Sequence, residues 1–265
     1  MLCLPLKHSP YVLGDTAMQF FGGLLLVLAV IFFFIARSQR NKAGKLSATD
    51  TYDAATLQTL HTKIVGTLGS DAFAQQCDVV GTVEADQPLT GPFSGQPVVN
   101  YSATKTREYE ERITKRDAEG KSETTTERGS EQIEEHKEQI VFYVRDASGR
   151  VRVDPKDAEI ELVETHRSLN QPDRPSGGAR RTTGIRSVER ALPVGAQVFI
   201  HGCALDRGGE VVIGKHPHRR DEKYIISLRG KRELLQSASG TARNMQIAAG
   251  VAGAIGLVLL VLGFL

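Results

Sequence analysis

Two stretches without a formal charge, residues 18–35 and 245–265, constrain this chain more than any average taken over its 265 residues. A bilayer core about 30 Å thick takes roughly 20 apolar residues at ~1.5 Å rise each. The first stretch reaches that length once Ala17 and Ala36 are included, and the second reaches it outright. Each carries one Gln near its start, where an amide reaches the interface. A cleaved signal peptide is a poor account of the first. Its apolar run is long for such a segment, and it ends in FFFIARSQR rather than a small-x-small cleavage site. Both stretches are expected to be transmembrane helices, over 18–36 and 245–265.

Basic residues set the expected orientation. Arg37, Arg40, Lys42 and Lys45 follow the first span, and Arg229, Lys231, Arg232 and Arg243 precede the second. The outer flanks offer only Lys7. That asymmetry places residues 36–244 in the cytoplasm and both termini outside. The second span is also rich in small residues, with Ala249/Gly253, Gly250/Ala254 and Ala252/Gly256 each repeating at i, i+4. A second backbone approaches such a face closely. An intramolecular hairpin with Gly22 and Gly23 of the first span and a homo-oligomer through helix 245–265 fit it equally well.

Between the spans the pattern changes. Residues 38–50 read as a polar linker. From Ala54 to Phe73 the residues Leu57, Leu60, Ile64, Val65 and Leu68 recur at helical spacing, with Asp53 or Thr51 as cap and Gly66 or Gly69 as terminator. Beyond Cys77 short β-type runs alternate with Gly and Pro. Two hairpins stand out, FYVRD with RVRVD and 198–204 with 211–213. Residues 104–139 hold eight Lys or Arg against eleven Asp or Glu, a composition of disorder or of a long solvated hairpin turning at 117–121. The run of Thr at 124–126 favours the hairpin. Residues 167–184 read as a loop or linker, IRSVERAL as a short helix, and RELLQSASGTARN as a polar helix leading into the second span. About eight short strands with a helix at each end predict a mainly-β, α+β soluble domain, barrel- or sandwich-like, between two transmembrane helices.

Chemistry is sparse. A net charge of +2 excludes a strongly basic nucleic-acid binder, so no nucleic-acid partner is expected. Three cysteines (Cys3, Cys77, Cys203) exclude a four-thiolate zinc site, and there is no phosphate-binding glycine motif, HExxH, CxxC or GxSxG. His201, Cys203, His216 and His218 are the one cluster worth weighing for zinc. An exposed HPHRR turn beside a core cysteine is the better reading. Cys77 and Cys203 read as small buried hydrophobes. Asp154-Pro155 reads as a strand end with a local backbone bond, and Tyr101 and Tyr109 as packing on one side of a strand. No residue is expected to be catalytic, and none to hold a metal or cofactor.

The segments CDVVGTVEADQPLTGPFSGQPVVNY with REYEE, FYVRDASGRVRVDPKDAEIEL, ALPVGAQVFIHGCAL and YIISLRGKRELL resemble, in order and spacing, the GIDE-type domain, also called BAM, beside a membrane. They span most of residues 77–235, between two spans as in that family. The motif positions carried over are Gly81, Pro88, Leu89, Tyr101, Tyr109, Asp154, Pro155, Gly195 and Gly202, and a structural role is implied for each. Eukaryotic members resembling this chain are E3 ubiquitin ligases of mitochondrial and chloroplast outer membranes, with a zinc-binding RING after the second span. A RING needs eight Cys or His ligands, so the resemblance implies a member without its own RING, like prokaryotic ones. In the organellar ligases the domain faces the intermembrane space, opposite to the charge-based orientation here. The expected organisation is a tail (1–17), a span (18–36), a linker and helix (37–76), the β-rich domain (77–235), a juxtamembrane stretch (236–244) and a span (245–265). The expected partners are the bilayer, a protein not identifiable from sequence, and a second copy. The expected function is a non-catalytic interaction or scaffold module, with an E3-like protein or subunit as the alternative.

Overall fold

A computed structural model describes residues 12–69, 72–116, 121–171, 180–219 and 221–264. The first 11 residues, the centre of the expected 117–121 turn and part of the expected 167–184 loop lie outside them. The chain divides into two compact units, residues 1–49 with 231–265, and residues 50–230.

The first unit is an antiparallel pair of helices, α1 (Val12–Ala48) and α3 (Lys231–Phe264). Within them Gln19–Ser38 and Lys231–Leu262 are long and apolar enough to cross a membrane, and only 11% and 6% of their most apolar windows are buried. Phe20, Phe34 and Leu257 are more than half exposed. The helices meet where side chains vanish. A Cβ on Gly22 would lie 2.9 Å from the Gly256 carbonyl oxygen, and one on Gly256 would lie 3.0 Å from that of Gly22. Gly256 and Gly253 therefore face α1, while a Cβ on Gly250 would meet nothing within 4 Å. Residues 38–48, expected to be a linker, continue α1 instead. Gln, Arg, Lys and Ala dominate there, and the single Gly44 costs only ~1 kcal/mol.

The second unit opens with α2 (Ala54–Leu68), capped by Asp53, whose carboxylate accepts the Thr56 N–H at 2.7 Å, and ended by Gly69 at φ 91°. Twelve strands follow among the described residues. Those of the first sheet are β1 (Ala74–Glu84), β5 (Phe142–Arg145), β6 (Arg150–Val153), β7 (Glu159–Ile160), β10 (Gln197–Arg207), β11 (Glu210–Gly214) and β12 (Ile225–Ser227). Pairing runs β1-β5-β6-β11-β10 and returns from β10 to β1, closing a barrel, with β12 attached to β10 and β7 to β12. The β6–β11 pair is parallel and the other pairs of the ring antiparallel. That is the connectivity of a five-stranded OB-type Greek-key barrel. Alternate residues point inward: Cys77, Val79 and Val83 from β1, Val198, Ile200 and Ala204 from β10, Val151 and Val153 from β6. Ala54 and Leu57 of α2 join this core. Asp146 in the β5–β6 turn fastens the helix start, accepting the Ala54 N–H at 2.7 Å while it also caps its own turn at Ser148 and Gly149.

The second sheet is longer and barer. Its strands are β2 (Leu89–Thr90), β3 (Pro97–Arg116), β4 (Ser122–Gln139), β8 (Val163–Asn170) and β9 (Arg180–Pro193), in the order β2-β3-β9-β8, with β4 following β2 along the edge of β3 opposite β9. Of the two expected alternatives for residues 104–139, the described parts, 104–116 and 122–139, pair as a hairpin. IRSVERAL, expected as a helix, lies inside β9. There its backbone groups pair with β3 on one side and β8 on the other, and Ser187, Glu189 and Ala191 are buried at a period of two. Residues 167–170 and 180–184 of the expected loop are strand as well, which extends the strand count beyond the expected eight.

Candidate functional site

Several motif positions converge on barrel closure. Gly202 of β10 points inward, and a Cβ there would lie 2.9 Å from the Tyr224 ring. Tyr224 is 1% exposed, and its hydroxyl donates to the Asp154 carbonyl at 2.7 Å and the Ile213 carbonyl at 3.3 Å. Burial pushes its ionisation far up, so it stays a donor. Asp154 closes the same turn. Its carboxylate accepts the Lys156 N–H at 3.1 Å and pairs with Arg207. Burial acts to raise its pKa, but these partners hold it below the usual carboxylate range. Pro155 accepts the Ala158 N–H at 3.1 Å, closing a turn in which Asp157 sits at φ 63°. At the other end, a Cβ on Gly81 would lie 2.7 Å from Val144, and Gly195, at φ 85°, donates to the Val83 carbonyl at 2.8 Å. Exposed Pro88 precedes β2, where Leu89 pairs with Val98.

The other two motif positions lie on the second sheet. Tyr101 and Tyr109 fall on one side of β3. The Tyr101 hydroxyl donates to Glu138 at 3.1 Å. Tyr109 lies over Gly129 of β4, where a Cβ would come 2.6 Å from the ring, and the Arg180 guanidinium sits 3.7 Å from its centroid. Ion pairs cross the strands: Lys105–Glu134, Arg107–Glu131, Arg128–Glu110 and Arg186–Glu108. Exposed charges of this kind keep an edge strand soluble and contribute little stability each. At the base, Glu189 is fully buried. It accepts the Phe93 and Ser94 N–H groups at 2.7 and 3.1 Å and the Ser94 and Thr165 hydroxyls at 2.5 and 2.6 Å. Burial acts to raise its pKa, and these donors outweigh it, leaving the pKa lowered. A Cβ on Gly91 would lie 2.5 Å from this carboxylate.

The histidines and cysteines are dispersed. His201 and Asp78 are buried as a pair, Nδ1 to Oδ1 at 2.7 Å, with Gln76 at 3.2 Å from the other ring nitrogen. His61 bonds Asp206 at 2.5 Å and so ties α2 to β10. The His216 ring accepts the N–H groups of His218 and Arg219 within its own loop. Burial and then Arg219 pull its pKa down, so the ring is neutral at pH 7. Among the described residues, no three His, Cys, Asp or Glu are grouped to hold a metal ion. Cys77 pairs in register with Gly202, and Gln76 with Cys203, so the two thiols point to opposite faces of the sheet. Both are free and buried, and burial pushes Cys77 up to about 12 and Cys203 to about 11.

Sequence reasoning misses Glu189, Asp78 and Asp146, because the groups that hold each acid come from segments distant in the chain: residues 93–94 and Thr165 for Glu189, His201 for Asp78 and the Ala54 N–H for Asp146. The weak signal was Glu189 itself, the one acid at an inward position of β9's alternation.

A family model for GIDE, described as E3 ubiquitin ligase, matches residues 110–263, more than half of the chain. No curated protein and no solved structure matches.

Proposed function

The chain belongs to the GIDE family, and from that premise we propose that it is a two-pass membrane protein whose β-rich unit binds a protein partner beside the bilayer without a reaction of its own. The observation that carries this reading is the sheet built on β3. Eighteen residues of β4 run along β3 with almost every β4 side chain exposed, held mainly by ladder bonds and ion pairs. Such an arm adds little to the apolar core, whereas an exposed strand edge is a ready surface for a partner. The apolar exteriors of α1 and α3 support membrane insertion.

Photo-cross-linkers placed at Thr125, Ile133 and His136 of β4 in intact cells test the reading. One and the same protein should be captured from all three positions. Capture of nothing, or of unrelated proteins at each position, overturns it. The family's description favours a second reading, ligase-like activity. If this chain drives ubiquitin conjugation in the presence of E1 and E2 enzymes, the claim of no reaction fails.

The charge asymmetry around the spans supports a cytoplasmic β-rich unit. In a Cys3→Ser, Ser122→Cys variant, a membrane-impermeant maleimide should label only after the membrane is broken. Cys77 and Cys203 should stay silent in the folded protein, because the reactive thiolate is suppressed by burial. Labelling in intact cells would reverse the orientation.

A further inference from the structure

A groove of about 390 Å³ lies between one flank of α2 and the outer wall of the barrel, lined by Gln58, His61 and Thr62 from the helix and by Tyr143, Arg150 and Arg152 from β5 and β6. That volume lies in the range of small-ligand sites. Arg150 and Arg152 are two apart on β6, so both project from the outer face while Val151 and Val153 enter the core. The guanidiniums are already oriented. Arg150 lies 4.1 Å from the centroid of the Tyr143 ring and bonds Asp86 at 3.0 Å, and Arg152 bonds Glu210 at 3.2 Å. Gly209, at φ 86°, carries the β10–β11 turn to the groove's rim beside Glu210.

We propose that this groove is an oxyanion site, taking a carboxylate or phosphate group between Arg150 and Arg152. A planar guanidinium held by stacking presents its fork to either group. Asp86, outside the groove lining, and Glu210, within it, are the carboxylates with which a ligand oxyanion would compete. Exposed ion pairs contribute little net stability, so an incoming oxyanion exchanges with them at small cost. Glu210 lines the groove itself and must turn away from Arg152 as the ligand enters. It is a competitor, which gives the site a signature that simple surface charge lacks.

The full chain in phosphatidylcholine nanodiscs is titrated at low salt with inorganic phosphate and with a capped tri-glutamate peptide. Saturable binding of at least one probe is expected, weakened about tenfold by Arg150→Gln or by Arg152→Gln. Glu210→Gln should tighten it, and added salt should weaken it. Tighter binding of phosphate assigns the site to a free small anion, and tighter binding of the peptide assigns it to an acidic segment of a protein. If neither probe saturates below about 10 mM, or if affinity is the same in Arg152→Gln, the site does not exist. The readout uses purified protein, so it is independent of whether the β4 arm captures a partner.

Discussion

Tyr224→Ala is expected to destabilise the β-rich unit by about 4 kcal/mol, the range for emptying a buried aromatic position. The ring is buried inside the barrel core against Gly202, and its hydroxyl links the Asp154 turn to β11. Tyr224→Phe should cost about 1–2 kcal/mol, because the ring stays and one buried acceptor loses its main donor. Hydrogen exchange of barrel amides reads both changes without needing the helices to unfold. Gly202→Val should be destabilising by about 1–3 kcal/mol in the native background, since the added carbons enter the Tyr224 ring. In a Tyr224→Ala background the same substitution should cost less, with only the Ile213 methyl at 3.0 Å left in its way, and the double-mutant cycle measures that coupling. A loss below about 1 kcal/mol for Tyr224→Ala would mean that the ring does not fill the barrel.

Glu189→Gln should cost about 3 kcal/mol near neutral pH, since charge-assisted hydrogen bonds to the 93–94 backbone and to two hydroxyls become neutral ones or are left unmade. The pH dependence has a definite sign. The folded pKa lies below the unfolded value of about 4.3, so the stabilisation is fully present above that value and is lost as pH falls through the folded pKa. The stability difference between the wild-type and Glu189→Gln proteins should therefore be full above about pH 5 and shrink progressively as pH falls below the unfolded value of about 4.3. Parallel curves across that range would show that the charge of Glu189 is not what fastens the 91–96 loop. Asp146 should contribute to the acid transition with the same sign, because its donors, Ser148 and the Ala54 N–H among them, outweigh burial and lower its pKa.

The elements legible in the sequence are those whose signal is local. Apolar length marked the two terminal helices. Asp53 and Gly69, each one of two candidates in the sequence, bound α2. Period-two alternation gave β5 with β6 and β10 with β11. What local pattern could not supply was who pairs with whom. Barrel closure depends on β1 meeting β10 and on the parallel β6–β11 contact, between segments far apart in the chain. The IRSVERAL segment is helical by propensity and becomes strand because β3 and β8 satisfy its backbone on both sides. Residues 38–48 are helical because α1 is already nucleated and adding polar helix formers to it costs little. Site chemistry divides in the same way. The sequence alone determined that the chain has two membrane-length apolar stretches, a β-rich middle and only three cysteines. Only the tertiary structure decided that Gly202 must lack a side chain, that Glu189 and the Asp78–His201 pair are buried, and that Arg150 and Arg152 face a helix across a groove. Burial and encounter are properties of contacts between distant segments, and periodicity records only which way a side chain points from its own strand.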